Sequence, residues 1–374
     1  MVEWQSAVEE LAVKNGFWRG RRVFISGHTG FKGSWLSFWL TELGAEVTGF
    51  ALPPDTEPSL FDLLGIQSRT VSRCGDVRDF AGFQTAVLTA NPEVFFHLAA
   101  QAQVREGYSH PKETIETNVS GTLHALEIGR HVADLRAMVV VTSDKCYRND
   151  NRVTGYREED PLGGDDPYSC SKACAEMLAE SYNKSFFQTT KCAVATARAG
   201  NVIGGGDWSR DRLVPDIIRA LAGHTTLALR NSGATRPWQH VLDPLNGYIT
   251  LAQRLCAEGQ RFAGAWNFGP LLTDAVTVEE LARSMYGAWG AEPRLERDMG
   301  PNPREAQRLA VDATKARENL GWTPRLSSAE MIQWTVEWYK RWRSGKAVAE
   351  ITAEQIDRYQ ERSVVRRALS AAQR

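Results

Sequence analysis

The chain has 374 residues, 43% of them hydrophobic and 24% charged, which is enough apolar material for one large domain or two unequal ones. Its 44 Lys and Arg against 45 Asp and Glu leave a net charge of -1, and no basic stripe marks a nucleic-acid footprint, so any anionic ligand has to be held by local geometry. No apolar run approaches bilayer-spanning length, and the six cysteines, without a Cys-x-x-Cys pair or a His cluster beside Cys170 and Cys174, read as reduced thiols rather than a disulfide framework or a metal site.

The opening stretch MVEWQSAVEELAVKNG carries acids where a secretory leader needs basic residues and an apolar run, which predicts a cytoplasmic protein with a peripheral helix before Gly16. The β-rich runs RVFIS, EVTGFAL, EVFFHLA, AMVVVTS and KCAVATARAG then alternate with segments of helical period. That alternation predicts an α/β fold, a Rossmann-type doubly wound parallel sheet, and the nearly continuous apolar strands fit burial on both faces.

After the first strand comes Gly27-x-x-Gly30-x-x-Gly33, leading into a helix. Glycines so spaced tighten the turn and let the backbone approach a pyrophosphate seated on the helix N-terminus. With 31 glycines in 374 positions the spacing arises by chance roughly 0.2 times, so its place between strand and helix carries the argument. The second strand should end in an acid for the adenosine ribose, yet Ala51 and Leu52 stand there. The choice between NAD and NADP is therefore less fixed than dinucleotide binding itself.

AMVVVTS ends on Ser143, a hydroxyl able to support a substrate oxygen, followed directly by an acid and a base, Asp144 and Lys145. The bland reading of that pair is a polar strand end. Further on, Tyr168 and Lys172 are four residues apart in DPYSCSKACAEML, one face of a helix, where the cation would lower the phenol's pKa and make it a usable base. Beyond Asn201 the chain turns to loops rich in Gly, Pro and Trp between helices. We expect a dinucleotide-binding domain over 1–200, with the chain returning to it at about 240–265, and a smaller mixed α/β substrate domain over 201–374. His240, beside the Trp238-Gln239 turn, fits a packed structural histidine.

The glycine pattern, HLAAQ at 97–101, Ser143 and Tyr168-x-x-x-Lys172 together resemble the extended short-chain dehydrogenase/reductases that act on nucleotide sugars. GHTGFKGSWLSFWL, TSDKCY, LGGDDPYSCSKACAE, ARAGNVIGGGDW and RPWQHVLDPLNGY look, more narrowly, like the CDP-glucose 4,6-dehydratases, over about Phe17 to Trp342. The resemblance implies CDP-glucose as substrate and tightly held NAD as cofactor, with no metal. It assigns Ser143, Asp144, Lys145, Tyr168 and Lys172 to catalysis. Tyr168 would take the proton of the sugar 4-hydroxyl as C4 is oxidised, Ser143 would steady that oxygen, and water would leave across C5 and C6. Asp144 would serve the C6 oxygen, and Lys145 stands where related dTDP-glucose enzymes carry Glu, as the C5 base or as an electrostatic aid.

Around the cofactor the resemblance places Gly27, Thr29, Gly30, Phe31, Lys32 and Gly33 at the pyrophosphate turn, Asp76 and Val77 at the adenine, and Leu98, Ala99, Ala100, Asn118 and Thr142 along the remainder, with Tyr168 and Lys172. On the substrate it places Asn201, Arg212, Leu213, Pro215, Arg236, Asn267 and Arg304, where arginine suits a diphosphate by its planar donor fork. Surface solvation is the plain alternative for each arginine. It further implies a homodimer or homotetramer joined through helices such as PKETIETNVSGTLHALEIG and the one after Tyr168. A 4-epimerase would share Ser143, Tyr168 and Lys172 but eliminates nothing, and a noncatalytic dinucleotide-binding regulator would not need the Tyr/Lys pair. GDP-mannose or dTDP-glucose would be the nearest changes of substrate.

Overall fold

A computed structural model describes residues 16–152, 154–298, 300 and 306–371. Seven strands form one sheet: β1 Arg22–Ser26, β2 Glu46–Ala51, β3 Val71–Cys74, β4 Val94–His97, β5 Ala137–Val141, β6 Ala193–Ala199 and β7 Gly264–Phe268. Their spatial order is β7-β6-β5-β4-β1-β2-β3, and every neighbouring pair is parallel. The order reverses beside β1, the point at which doubly wound sheets open a crevice at their carboxyl ends.

Alternation along the strands sorts the core into two layers. Val23, Ile25, Val94, Phe96, Val139 and Val141 face one side, in a cluster continuous with Trp35, Leu245, Trp322 and Trp338. Phe24, Phe95, Met138, Val140 and Val194 face the other, with Phe83 and Leu126. Helix α1, Phe31–Glu42, is buried without a break from Gly33 to Leu40. Its sequence FKGSWLSFWLTE therefore shows no apolar stripe, as a helix enclosed on all sides requires none. Helix α2, Pro167–Tyr182, starts cleanly because Pro167 occupies its first turn and the Asp166 carboxylate accepts from the Ser169 N–H at 3.0 Å.

The later chain does not stand apart from the sheet. Helix α3, Leu242–Glu258, packs on β5 and β6, and β7 then pairs with β6, so the return to the sheet runs from Leu242 to Phe268. The first core layer also takes in Val214, Leu281, Met331 and Trp338 from beyond residue 201, so both segments share one apolar interior. Short pairs brace the remainder: Val202–Ile203 with Gln239–His240, Thr235–Arg236 with Val276–Thr277, and Leu227–Leu229 with Leu295–Arg297.

Candidate active site

The glycine loop is shaped by close approaches that leave no space for side chains. Gly27 has φ +78°, and a Cβ there would lie 2.7 Å from the Ala99 N; a Cβ on Gly33 would lie 2.0 Å from the Gly27 O. Gly30, the residue before α1, differs: a Cβ there would meet only the Gly27 O, at an ordinary 3.5 Å. The chain itself therefore does not demand glycine at 30, whereas a group lying against the loop would. Thr29 Oγ1 donates to the Leu52 O at 2.9 Å, tying the loop to the end of β2. Asp76, just after β3, is held by Arg78, whose Nε donates at 2.8 Å and whose side chain keeps that carboxyl below the usual range; Val77 is buried and its carbonyl contacts His124 Nδ1 at 2.8 Å.

Leu98, Ala99 and Ala100 follow β4, and Asn118 fixes the loop beyond them. Its Oδ1 accepts from the Gln101 N–H at 2.8 Å, and its Nδ2 donates to the Gln101 O at 2.9 Å and to Ser171 Oγ at 2.8 Å. The Asn118 amide is thus spent on the protein, linking the β4 loop to α2.

A cleft of about 280 Å³ opens at the ends of β5 and β6. Phe31, Lys32, Thr142, Ser143, Asp144, Lys145, Tyr168, Asn201, Arg212, Leu213, Pro215 and Arg236 all line it, which brings together four of the five expected catalytic residues and five of the seven expected substrate residues. Ser143 caps a single tight turn over Asp144–Cys146. Its Oγ accepts from the Lys145 N–H at 3.2 Å and donates to Asp144 Oδ1 at 3.0 Å. Asp144 is 2% exposed, and its Oδ2 has no hydrogen-bond partner among the described residues. Burial pushes this carboxyl up to about 6, against the pull of Lys145, the Ser143 hydrogen bond, Arg236 and Lys32. The arrangement is a carboxyl able to hold a proton near neutrality, one oxygen anchored and the other left open.

Tyr168 and Lys172 are both buried on the α2 face toward this turn. Burial raises the phenol to about 12, with a Ser143 hydrogen bond and Arg212 working against it and Asp144 with it. The expected lowering by Lys172 does not appear in this structure, because the Lys172 Nζ turns to the Val141 O at 3.4 Å and its principal counter-charge is Glu176. Burial lowers Lys172 to about 8 despite Glu176. Lys32, half-buried, is lowered to about 7 by burial, Lys172 and Arg212, and its Nζ lies 6.0 Å from the Tyr248 ring.

Two residues expected at the site are engaged by the protein itself, and a third is not described. Asn267 is fully buried outside the cleft: it donates to the Tyr156 O at 2.8 Å and the Asp312 O at 3.1 Å and accepts from Tyr147 Oη at 2.7 Å, so no polar group is left for a substrate. Thr142 reaches the cleft, but its hydroxyl is donated to Glu176. Arg304 lies outside the described residues. His240 is fully buried and lowered to about 3, as a packed neutral histidine. Sequence reading passed over Gln103, Arg105, Asp207 and Asp211 on the cleft wall, since isolated polar residues in loops carry no spacing signal.

The sequence profile described as GDP-mannose 4,6 dehydratase matches residues 24–335. A CDP-glucose 4,6-dehydratase of Salmonella typhimurium is 47% identical over 352 residues, covering 93% of this chain and 98% of the relative. A UDP-glucose 4-epimerase of Mycolicibacterium smegmatis is 27% identical, covering 85% and 98%. Among solved structures, a dTDP-glucose 4,6-dehydratase from Streptomyces venezuelae with NAD bound aligns with a TM-score of 0.75 at 23% identity, over 87% of this chain and 98% of that one, a likeness of fold. With the start of α1 after the glycine loop, the Ser143-Asp144-Lys145 turn and Tyr168 of α2 meeting in one cleft, the chain belongs to the GDP-mannose 4,6 dehydratase family of nucleotide-sugar enzymes.

Proposed function

We propose that this protein is a CDP-glucose 4,6-dehydratase, forming CDP-4-keto-6-deoxyglucose and water, with NAD as its bound cofactor. The relative at 47% identity supports the nucleotide, and one feature of the cleft carries the chemistry: the buried Asp144 carboxyl, raised to about 6, with Oδ2 open beside Ser143. An epimerase has no step that uses such an acid.

The loop fits the cofactor, since Gly30 is a glycine that only an outside group requires and Gly27 and Gly33 shape the turn beneath it. Gly27, Thr29, Gly30, Phe31, Lys32 and Gly33 would hold its pyrophosphate, and Asp76 and Val77 its adenine end. NAD supplies the oxidising and later reducing capacity at the sugar carbons. Tyr168 is the group placed to take the proton from the C4 hydroxyl, which requires its phenol, held at about 12 by burial, to be lowered as Lys172 turns from the Val141 O toward it, and Ser143 donates to the C4 oxygen as it becomes a carbonyl. The 4-ketone acidifies the C5 proton. Asp144 delivers its proton to the departing C6 hydroxyl, while Lys145 acts at C5, as base or as stabiliser of the developing enolate. Arg212 and Arg236 hold the diphosphate. We assign the protein to the cytoplasm as a homodimer or homotetramer.

Asp144→Asn tests this assignment. The variant should still oxidise C4, accumulating a 4-keto sugar that retains its C6 oxygen by mass, while water loss slows by about 10²–10⁴-fold. Undiminished water loss would remove Asp144 from the mechanism.

A further inference from the structure

The catalytic helix carries a buried charge that the mechanism above leaves unused. Glu176 sits one turn beyond Lys172 on α2, 3% exposed. Its Oε1 accepts from Thr142 Oγ1, and its Oε2 accepts from Thr196 Oγ1 at 2.7 Å and from Arg198 Nη2 at 2.7 Å. Those partners come from three places: the residue before Ser143, and two positions of β6. The Glu176–Arg198 ion pair is enclosed, with side-chain exposures of 2% and 4%. Arg198 in turn donates to Tyr147 Oη at 2.7 Å and to the Glu158 O at 3.1 Å, so the cation is fixed from the far side as well.

A buried pair of this kind is weak as a source of stability compared with apolar packing, because both ions give up their hydration. Its geometry points to another use. Resting on the dehydratase reading, we infer that Glu176 is a positioning residue: its carboxylate pins the strand end bearing Ser143 and Asp144 to the helix bearing Tyr168 and Lys172, and it keeps Lys172 cationic.

The second part follows from the surroundings of Lys172. From α1 Lys32 opposes its charge, and from β4 the buried His97 is held neutral, lowered to about 3 by burial and by Lys172 itself. Cys146, from the turn after β5, and Glu176, from its own helix, favour the ammonium. The thiol of Cys146 is raised well above its ordinary value, so it brings no charge near neutrality. Among these groups Glu176 is the carboxylate that works against burial to hold the Lys172 proton.

Glu176→Gln keeps the shape and removes the charge. Since the cationic form of Lys172 is the useful one, activity is lost as pH rises through its pKa. The alkaline limb of water loss from CDP-glucose should move down by about one pH unit or more in the variant. A second readout needs neither substrate nor cofactor. Between the folded-state pKa of Lys172 and its unfolded value, the unfolded chain binds the extra proton, so stability rises with pH there. In Glu176→Gln the rise in the urea midpoint should begin at lower pH, and in a Lys172→Met background the two forms should differ by a constant offset.

Because Glu176→Gln leaves Arg198 unpaired, Glu176→Gln/Arg198→Gln serves as the folded alternative if the single variant fails to fold. Loss of stability with both the limb and the onset of the rise unchanged would overturn the inference and leave Glu176 a purely structural residue. Should the unsubstituted protein fail to dehydrate CDP-glucose, the proposed function would fall, while the unfolding arm would still decide the Glu176–Lys172 coupling.

Discussion

In the proposed mechanism Asp144 is the acid of the elimination step, and the fold holds it at a cost. Its carboxyl is raised from 3.8 to about 6, chiefly by burial. A carboxyl raised in the folded state favours folding fully below its unfolded pKa, and that contribution is lost as pH climbs through the folded value. Between about pH 4 and 6 the protein therefore loses stability from this group, and above 6 it carries the full burden of a buried carboxylate. Asp144→Asn should match the unsubstituted protein below pH 4 and exceed it by roughly 2–3 kcal/mol at pH 8, read from urea unfolding at both pH values. Equal stability at pH 8 would mean that the cations around Asp144 already compensate its burial. The same residue was visible in the sequence only as half of an acid-base pair at a strand end; its surroundings depend on Gly200 and Arg236, which arrive from segments more than 50 residues away.

The turn between β1 and α1 separates what a glycine does for the fold from what it does for a ligand. Gly33→Ala should lower the melting temperature by several degrees or abolish soluble protein, since its Cβ would sit 2.0 Å from a backbone oxygen. Gly30→Ala should melt close to the unsubstituted protein while NAD affinity, measured by calorimetry on the cofactor-stripped chain, falls at least about tenfold, because the methyl occupies the approach of the pyrophosphate. Loss of stability comparable to that of Gly33→Ala would contradict the division. The glycine pattern and the Tyr168/Lys172 spacing were legible because each is a local rule of one turn or one helix face. The surroundings of Asn267 were not legible, for the opposite reason. Its role is set by Tyr147, Tyr156 and Asp312, which lie 120, 111 and 45 residues away, and nothing local distinguishes a buried tie from a substrate contact.

At the scale of the molecule, five strands of the parallel sheet followed from alternating apolar runs, but β7, Gly264–Phe268, whose WNF lies in a stretch expected as a loop, did not, and neither did the strand VSRC at 71–74. VSRC is short, exposed and polar at the sheet's edge, so it lacks the apolar signature of its neighbours. The expected division at residue 201 was read from a change of composition, while the shared core on the α1 side of the sheet arises from long-range packing that composition does not encode. Ile115, Met177 and Phe186, on or just beyond the helices expected to join subunits, leave 37%, 52% and 41% of their surface exposed. Met177→Lys should shift sedimentation toward the monomer, whereas an unchanged oligomer would move the interface elsewhere. Among the described residues no helix is long and apolar enough to cross a membrane.

The most direct measurement is incubation of the purified protein with CDP-glucose, and separately with GDP-mannose, dTDP-glucose and UDP-glucose, followed by product mass. CDP-glucose should lose one water, the other three little or none, with no net accumulation of reduced cofactor. An epimer of unchanged mass, or equal water loss from GDP-mannose, would contradict the proposed function.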